Sequence, residues 1–193
     1  MPAVQLDRLE KQIAALQPLL AEPRRFVARL EDLLMFYSDP ARRVHFTNNP
    51  APLLSAYHVP PQVTRLLARR LAAWMQEDIQ TGLRMCAALW NTRNLECRQI
   101  AAQVLGNLPV DDPAPVWECL EAWLAETPEI PFQEQILALG GVRLRREQAE
   151  SYRRWLEAHL HSREQSARTL GMIALRLWLH DDTFENFPLV FRW

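Results

Sequence analysis

Ala88-Leu-Trp-Asn-Thr-Arg-Asn-Leu-Glu-Cys-Arg-Gln-Ile-Ala-Ala-Gln-Val-Leu-Gly106 reads as the end of one helix, a corner, and a second helix. Upstream of the corner, Leu83, Cys86, Ala87 and Trp90 are spaced i, i+3, i+4, i+7, which puts them on one helical face. Asn91-Thr92-Arg93-Asn94 has no apolar residue. Its Asn and Thr side chains compete with the helix for backbone hydrogen bonds, so the segment is a corner and Asn94 the expected N-cap of the second helix. Cys97, Ile100, Ala101, Val104, Leu105 and Leu108 form one apolar stripe on that helix. Gly106 near its end and Pro109 just beyond it predict the stop. Two short amphipathic helices joined tightly cannot bury their apolar faces alone and need neighbours of the same kind.

The chain supplies such neighbours. Trp90 recurs as Trp123 and Trp155, at intervals of about 33 residues, within the range of helical-repeat periods. Leu105-Gly106 recurs as Leu139-Gly140 and Leu170-Gly171. Superposing the first and last copies on these marks sets Arg98 opposite Arg163 and Ala102 opposite Ala167. The middle copy is degenerate, with Pro128, Pro131 and a doubled glycine at Gly140-Gly141. The competing reading is one irregular helical bundle in which the Trp-to-Gly spacing is coincidence.

Composition agrees with helices. Hydrophobic residues make up 49% of the 193, enough for a sizeable core. Ala, Leu, Arg, Glu and Gln dominate, and few residues alternate with period two, which predicts an all-α chain. Lys11 is the only lysine, so arginine carries nearly all the positive charge. The formal net charge of −1 excludes a general polyanion binder, and nucleic-acid contact has to come from a local patch. Cys86, Cys97 and Cys119 are odd in number and fit no zinc spacing, so free thiols in a reducing compartment are expected. The N-terminus lacks a charged start followed by an apolar run, and no segment approaches the roughly 20 apolar residues of a membrane span. The expected setting is cytoplasmic.

In chain order, Val4 to Ala21 predicts a helix that Pro18 kinks or shortens. Arg24 to Tyr37 predicts a second, with Phe26, Val27, Leu30, Leu33, Leu34 and Tyr37 inward. Residues 1–37 are expected to form a helical cap on a repeat array. Residues 38–60 read as loop or linker, with His45 and Phe46 inside it and one helical turn at Leu53–Tyr57. Pro61 suits the first position of the next helix, whose inner face is Val63, Leu66, Leu67, Leu71 and Trp74, with Arg65, Arg69 and Arg70 outside. Repeats are expected over about 61–108, 113–141 and 146–180. Asp112 is a candidate N-cap, and Val142 to Arg146 reads as a basic connection. Ser162 and Gln165 compose an S-x-x-Q capping box. Phe184 to Trp193 is apolar and reads as a terminal helix, or as a segment that another repeat or partner covers.

Tyr57-His-Val-Pro-Pro61, the helix after it, Leu89-Trp90, Glu96 and the apolar second helix resemble the bacterial HEAT-like-repeat DNA glycosylases of alkylation repair. The resemblance covers about residues 53–180. It implies a right-handed superhelical stack of helix pairs, an α-solenoid, holding duplex DNA on a concave face. Active members release cationic N3- or N7-alkylated purines, with an Asp supporting charge on the sugar and two Trp beside the lesion. A nearby carboxylate and π faces would stabilise an oxocarbenium-like sugar. Here the corresponding region reads Glu129-Ile-Pro-Phe-Gln-Glu-Gln-Ile136. Glu134 stands at the Asp position, Ile130 at the Trp slot, and no aromatic residue stands at Ser162–Glu164. The resemblance therefore implies the shape, with Glu134 as the candidate catalytic carboxylate and glycosylase activity in question.

His159 and His161 lie two apart and point about 200° apart on a helix, so they cannot chelate from one face, and no metal or other cofactor is expected. The arginines carry more. Arg93, Arg98, Arg163 and Arg168 fall at the corner or first turns of second helices. With Arg143 and Arg145 they compose a candidate stripe for the phosphate backbone of duplex DNA. Glu96, Glu147, Glu150, Glu157 and Glu164 are the acids that would neutralise it at i, i+3 or i+4 spacing. Two functions remain in play: a DNA-repair-like protein binding duplex DNA, or a non-catalytic scaffold whose groove takes a protein partner.

Overall fold

A computed structural model describes residues 5–38, 54–181 and 184. The expected loop around His45 and Phe46, and the terminal apolar segment beyond Phe184, lie outside the described residues. Every regular element among the described residues is helical. These are α1 (Leu6–Ala14), a 3-10 turn (Gln17–Leu19), α2 (Pro23–Phe36), α3 (Pro61–Trp74), α4 (Ile79–Trp90), α5 (Leu95–Leu105), α6 (Ala114–Ala125), α7 (Ile130–Gly140), α8 (Val142–Glu147), α9 (Ala149–Leu160) and α10 (Gln165–Leu179). None of them is long and apolar enough to cross a membrane. The chain divides into two compact units between Leu108 and Pro109.

In the first unit, α1 packs on α3, α2 on α4, and both α3 and α4 on α5. Pro18 acts as expected: α1 stops at Ala14 and the proline sits in the 3-10 turn, because its ring and missing N–H cannot continue an α-helix. Pro61 opens α3 and Asn94 caps α5. The α5 stripe is buried throughout, from Cys97 to Leu108. The inner face of α4 differs from the expected one. Gly82, Met85, Cys86, Leu89 and Trp90 are buried, whereas Leu83 is half-exposed and Ala87 exposed. The cause is a close approach: a Cβ at Gly82 would lie 2.6 Å from Leu108 Cδ2, so the bare glycine edge is the one that meets the neighbour. Leu54–Tyr57 forms no helical turn. Ser55 instead runs beside the α4–α5 corner, its N–H donating to Arg93 O (3.2 Å) and its carbonyl accepting from Leu95 N (2.8 Å).

In the second unit, α6 packs on α7, α7 on α8 and α10, α8 on α9, and α9 on α10. The expected basic connection is the helix α8, with Leu144 and Arg145 buried. The capping box does not form. Glu164, not Ser162, is the N-cap of α10, and the Ser162 hydroxyl accepts from Glu164 N (3.2 Å) inside the corner. A short-range hydroxyl–amide bond has displaced the helix start by two residues.

The helix boundaries recur at one interval. Ile79, Ala114 and Ala149 begin α4, α6 and α9; Trp90, Ala125 and Leu160 end them; Leu95, Ile130 and Gln165 begin the partner helices. Each step is thirty-five residues. The Trp and Leu-Gly marks keep a different register. Trp90 ends its helix, Trp123 lies two residues before the end of α6, and Trp155 five before the end of α9. Gly106 and Gly141 are both C-caps, of α5 and α7, whereas Gly171 is inside α10. There its absent Cβ admits Leu160 N at 3.0 Å, the end of the preceding helix. By position in the hairpin, Arg98 therefore corresponds to Arg168 and Arg93 to Arg163.

Candidate functional site

Each of the three hairpins turns through four residues: Asn91–Asn94, Glu126–Glu129 and His161–Glu164. The second place is a hydroxyl every time, Thr92, Thr127 and Ser162. Thr92 Oγ1 donates to Leu89 O (2.8 Å) and accepts from Asn94 N (3.2 Å), as Ser162 Oγ accepts from Glu164 N. The fourth place is the N-cap, and Asn94 Oδ1 accepts from Cys97 N (3.1 Å). The fourth residue of each second helix then folds back on the corner. Arg98 Nε donates to Trp90 O (3.1 Å), Gln133 Nε2 to Thr127 O (2.8 Å), and Arg168 Nη1 to Ser162 O (2.9 Å) and Arg163 O (2.8 Å). The Trp90 carbonyl ends a helix and has no partner within it, and the other carbonyls lie in the turn, so these side chains supply partners that no helix does.

That chemistry separates the six expected phosphate-binding arginines. Arg98 is half-buried, its guanidinium 4.2 Å from the centroid of the Trp90 ring and bonded to the corner. Arg168 is exposed but holds two corner carbonyls. Arg143 forms a bidentate pair with Glu147 (2.6 and 2.8 Å), and those hydrogen bonds raise its pKa. Arg145 corrects the expectation. It is only 6% exposed and faces inward, donating to Leu137 O (2.8 Å) and Ala138 O (3.1 Å) at the end of α7 and pairing with Asp181. It serves the carbonyls of α7, so it is closed to a phosphate. Arg93 and Arg163 are exposed, occupy the same place in their corners, and form no ion pair among the described residues. Arg93 holds the left-handed backbone, φ 55°, which a non-glycine residue adopts at a cost and mostly in tight corners. Arg93 and Arg98 belong to the first unit, and the other four arginines to the second.

Glu134, the candidate catalytic carboxylate, is half-exposed on α7 and ion-paired with Arg176 of α10. Ile130 is exposed and Phe132 half-buried, so no buried aromatic wall adjoins the carboxylate from its own helix turn. Among the described residues no group of three or more His, Cys, Asp or Glu converges as metal ligands. Burial pushes the Cys97 and Cys119 thiols up to about 12, which keeps them protonated and poor nucleophiles.

Tyr152, Trp155 and His159 read from the sequence as the lining of one helix and Glu96 as part of the resemblance, but Trp117 and the contacts these residues make escaped that reading. Trp117 and Trp155 stack at 5.1 Å, and the His159 ring lies on Trp155 at 3.8 Å. Trp117 Nε1 donates to Ser151 Oγ (2.9 Å) and Trp155 Nε1 to Glu121 Oε1 (2.9 Å). Tyr152, fully buried, donates to Ala174 O (3.2 Å), and burial pushes its phenol up to about 12. Glu96 is buried in the first unit and accepts from Tyr57 N (3.0 Å) and Val59 N (3.3 Å), fixing His58 at φ 56°. Aligning the chain at thirty-five residues would have found Trp117, because it sets Gly82, Trp117 and Tyr152 in one buried column and Met85, Leu120 and Trp155 in another. An open cleft between α1 and α3 is lined by Asp7, Lys11 and Trp74 and bridged by the Arg70–Glu10 pair (2.8 Å).

No protein-family model, curated protein or solved structure matches the chain.

Proposed function

We propose that the chain is a helical-repeat protein of the HEAT-like α-solenoid kind and works as a non-catalytic scaffold for a protein partner. The observation that carries the reading is the recurrence of hairpin boundaries every thirty-five residues, each with the fourth residue of the second helix folding back to donate to a carbonyl at the turn. A four-residue corner closed three times by a fold-back donor serves a stackable unit, and stacked units offer extended binding surfaces. The side chains with most chemistry in them are engaged in holding the fold. Arg98, Arg145 and Glu96 bind backbone, and Glu134 is matched by Arg176.

A second reading, duplex-DNA binding of the kind the alkylation-repair glycosylases show, is favoured by Arg93 and Arg163 alone, exposed at equivalent corners. Titrating the full chain with a fluorescent duplex from about 50 to about 200 mM salt separates the two. The scaffold reading expects weak binding with a shallow slope. A steep slope, flattened in Arg93→Ser/Arg163→Ser, replaces it with the DNA reading. Release of alkylated purine by the native chain, lost in Glu134→Gln, would overturn the non-catalytic part.

A further inference from the structure

The recurrence exposes one position that breaks the pattern. Ala102 on α5 and Leu137 on α7 occupy the same place in their hairpins and are 2% and 0% exposed. Met172 occupies that place on α10 and is 59% exposed. Leu105 and Gly140 are buried, whereas Leu175, their counterpart, is only half-buried. Leu179 continues the same flank. Met172, Leu175 and Leu179 are spaced three and four apart, so they form one apolar stripe along α10. In the preceding hairpin α7 has a neighbour to cover it, since it packs on α8 and α10.

We propose that this flank of α10 is the docking face for an amphipathic helix of a partner protein, with acidic residues bordering the partner's apolar stripe. The proposal rests on the scaffold reading of the chain. Two observations set the partner's chemistry. The positions that the fold buries in earlier hairpins are apolar, so the occupant presents apolar side chains at i, i+3 and i+7. Arg168 stands exposed one helical turn before Met172 and forms no ion pair among the described residues, so the surface where the stripe begins is net positive. Arg176, beside Met172, is matched by Glu134 and adds little. A rim of this charge favours an acidic partner and its approach rate.

The test uses the full chain and two synthetic helical peptides with the same leucine stripe, one bordered by glutamates and one by lysines. Fluorescence anisotropy is expected to show at least tenfold tighter binding of the glutamate peptide. Met172→Glu is expected to weaken it at least tenfold with unchanged circular dichroism, while Met35→Glu, equally exposed on α2, leaves it alone. Equal binding of both peptides, or indifference to Met172→Glu, overturns the proposal. So does concentration-dependent self-association that Met172→Glu abolishes, which would give the face to a second copy. Hydroxyl-radical footprinting adds a check without a ligand: Met172 should oxidise far faster than buried Met85, and equal protection would mean the chain covers this flank itself. A flat DNA response with peptide binding that ignores Met172 sinks only this assignment, whereas a steep one sinks the scaffold reading.

Discussion

Arg145 and Asp181 form an ion pair shielded on both sides, Nε to Oδ2 3.7 Å, with side chains 6% and 5% exposed. Arg146 adds a second contact to the same carboxylate at 3.2 Å but is itself 51% exposed. Because Arg145 also holds carbonyls in the last turn of α7, the pair ties that turn to the second residue after α10. Removing one partner of a buried pair leaves an uncompensated charge and typically costs about 3–5 kcal/mol. Asp181→Asn is therefore expected to lower stability by about 3 kcal/mol in urea unfolding. Arg146→Ala, on the exposed arm, should cost below about 1 kcal/mol. Equal losses would mean that burial does not govern this cluster.

Asn94 does two jobs from one amide. Its oxygen caps α5 at Cys97 N, and its nitrogen donates to Ser55 O (3.2 Å). Asn94→Ala should cost about 2 kcal/mol, the upper end for a cap. Asn94→Asp keeps the acceptor and loses the donor, so it should recover part of that loss. Thermal unfolding of the two variants side by side decides it, and an Asp variant as weak as the Ala one would put the main role in the Ser55 contact.

Gly171 lies where a methyl would approach Leu160 N at 3.0 Å and Leu160 Cδ2 at 3.1 Å. Alanine improves helix propensity, but here backbone stands in its way. Gly171→Ala is expected to destabilise by about 1–3 kcal/mol, the range for overpacking. A stabilised variant would show that α9 and α10 do not approach so closely.

Alkaline pH should weaken the fold. Cys97 and Cys119 ionise at about 12 in the folded chain against an ordinary 9, and Tyr152 at about 12 against 10, chiefly through burial. The unfolded chain thus loses these protons first, so their stabilising contribution is whole below about pH 9 and declines as pH climbs toward 12. Urea midpoints measured from about pH 8 to about pH 11 should fall, and fall less in Cys97→Ala relative to its own value at the start of the series. At the lower end of that range a thiol reagent should label neither Cys97 nor Cys119 until urea is added.

Much of the fold was legible residue by residue. Pro18 and Pro61 punctuate the backbone through sterics that no neighbour can change, and Asn94 caps its helix through a bond three residues long. The α5 stripe was legible because it is apolar over a broad arc. The α4 face was not: leucine and alanine at Leu83 and Ala87 look more apolar than Gly82, and only the approach of Leu108 reveals that the glycine edge is inward. The true hairpin interval was hidden because tryptophan and glycine are conspicuous but positionally free, while the corner hydroxyl and the fold-back donor, which mark it, are ordinary surface letters. Of the candidate site, the exposed corner arginines were legible from their place in the corner. The inward turn of Arg145 was not, since a basic run reads the same whether its arginines meet solvent or the carbonyls at the end of a neighbouring helix.

The sequence by itself determined that this chain is helical, where most helices begin and end, and that Asn94 caps α5, because those outcomes depend on bonds and clashes within a few residues. Tertiary structure alone decided which edge of α4 turns inward, which arginines keep their charge facing outward, and that Met172 lies bare where its counterparts are covered. Each of those depends on what a distant segment brings alongside, and a side chain carries no record of its neighbour until the chain has packed.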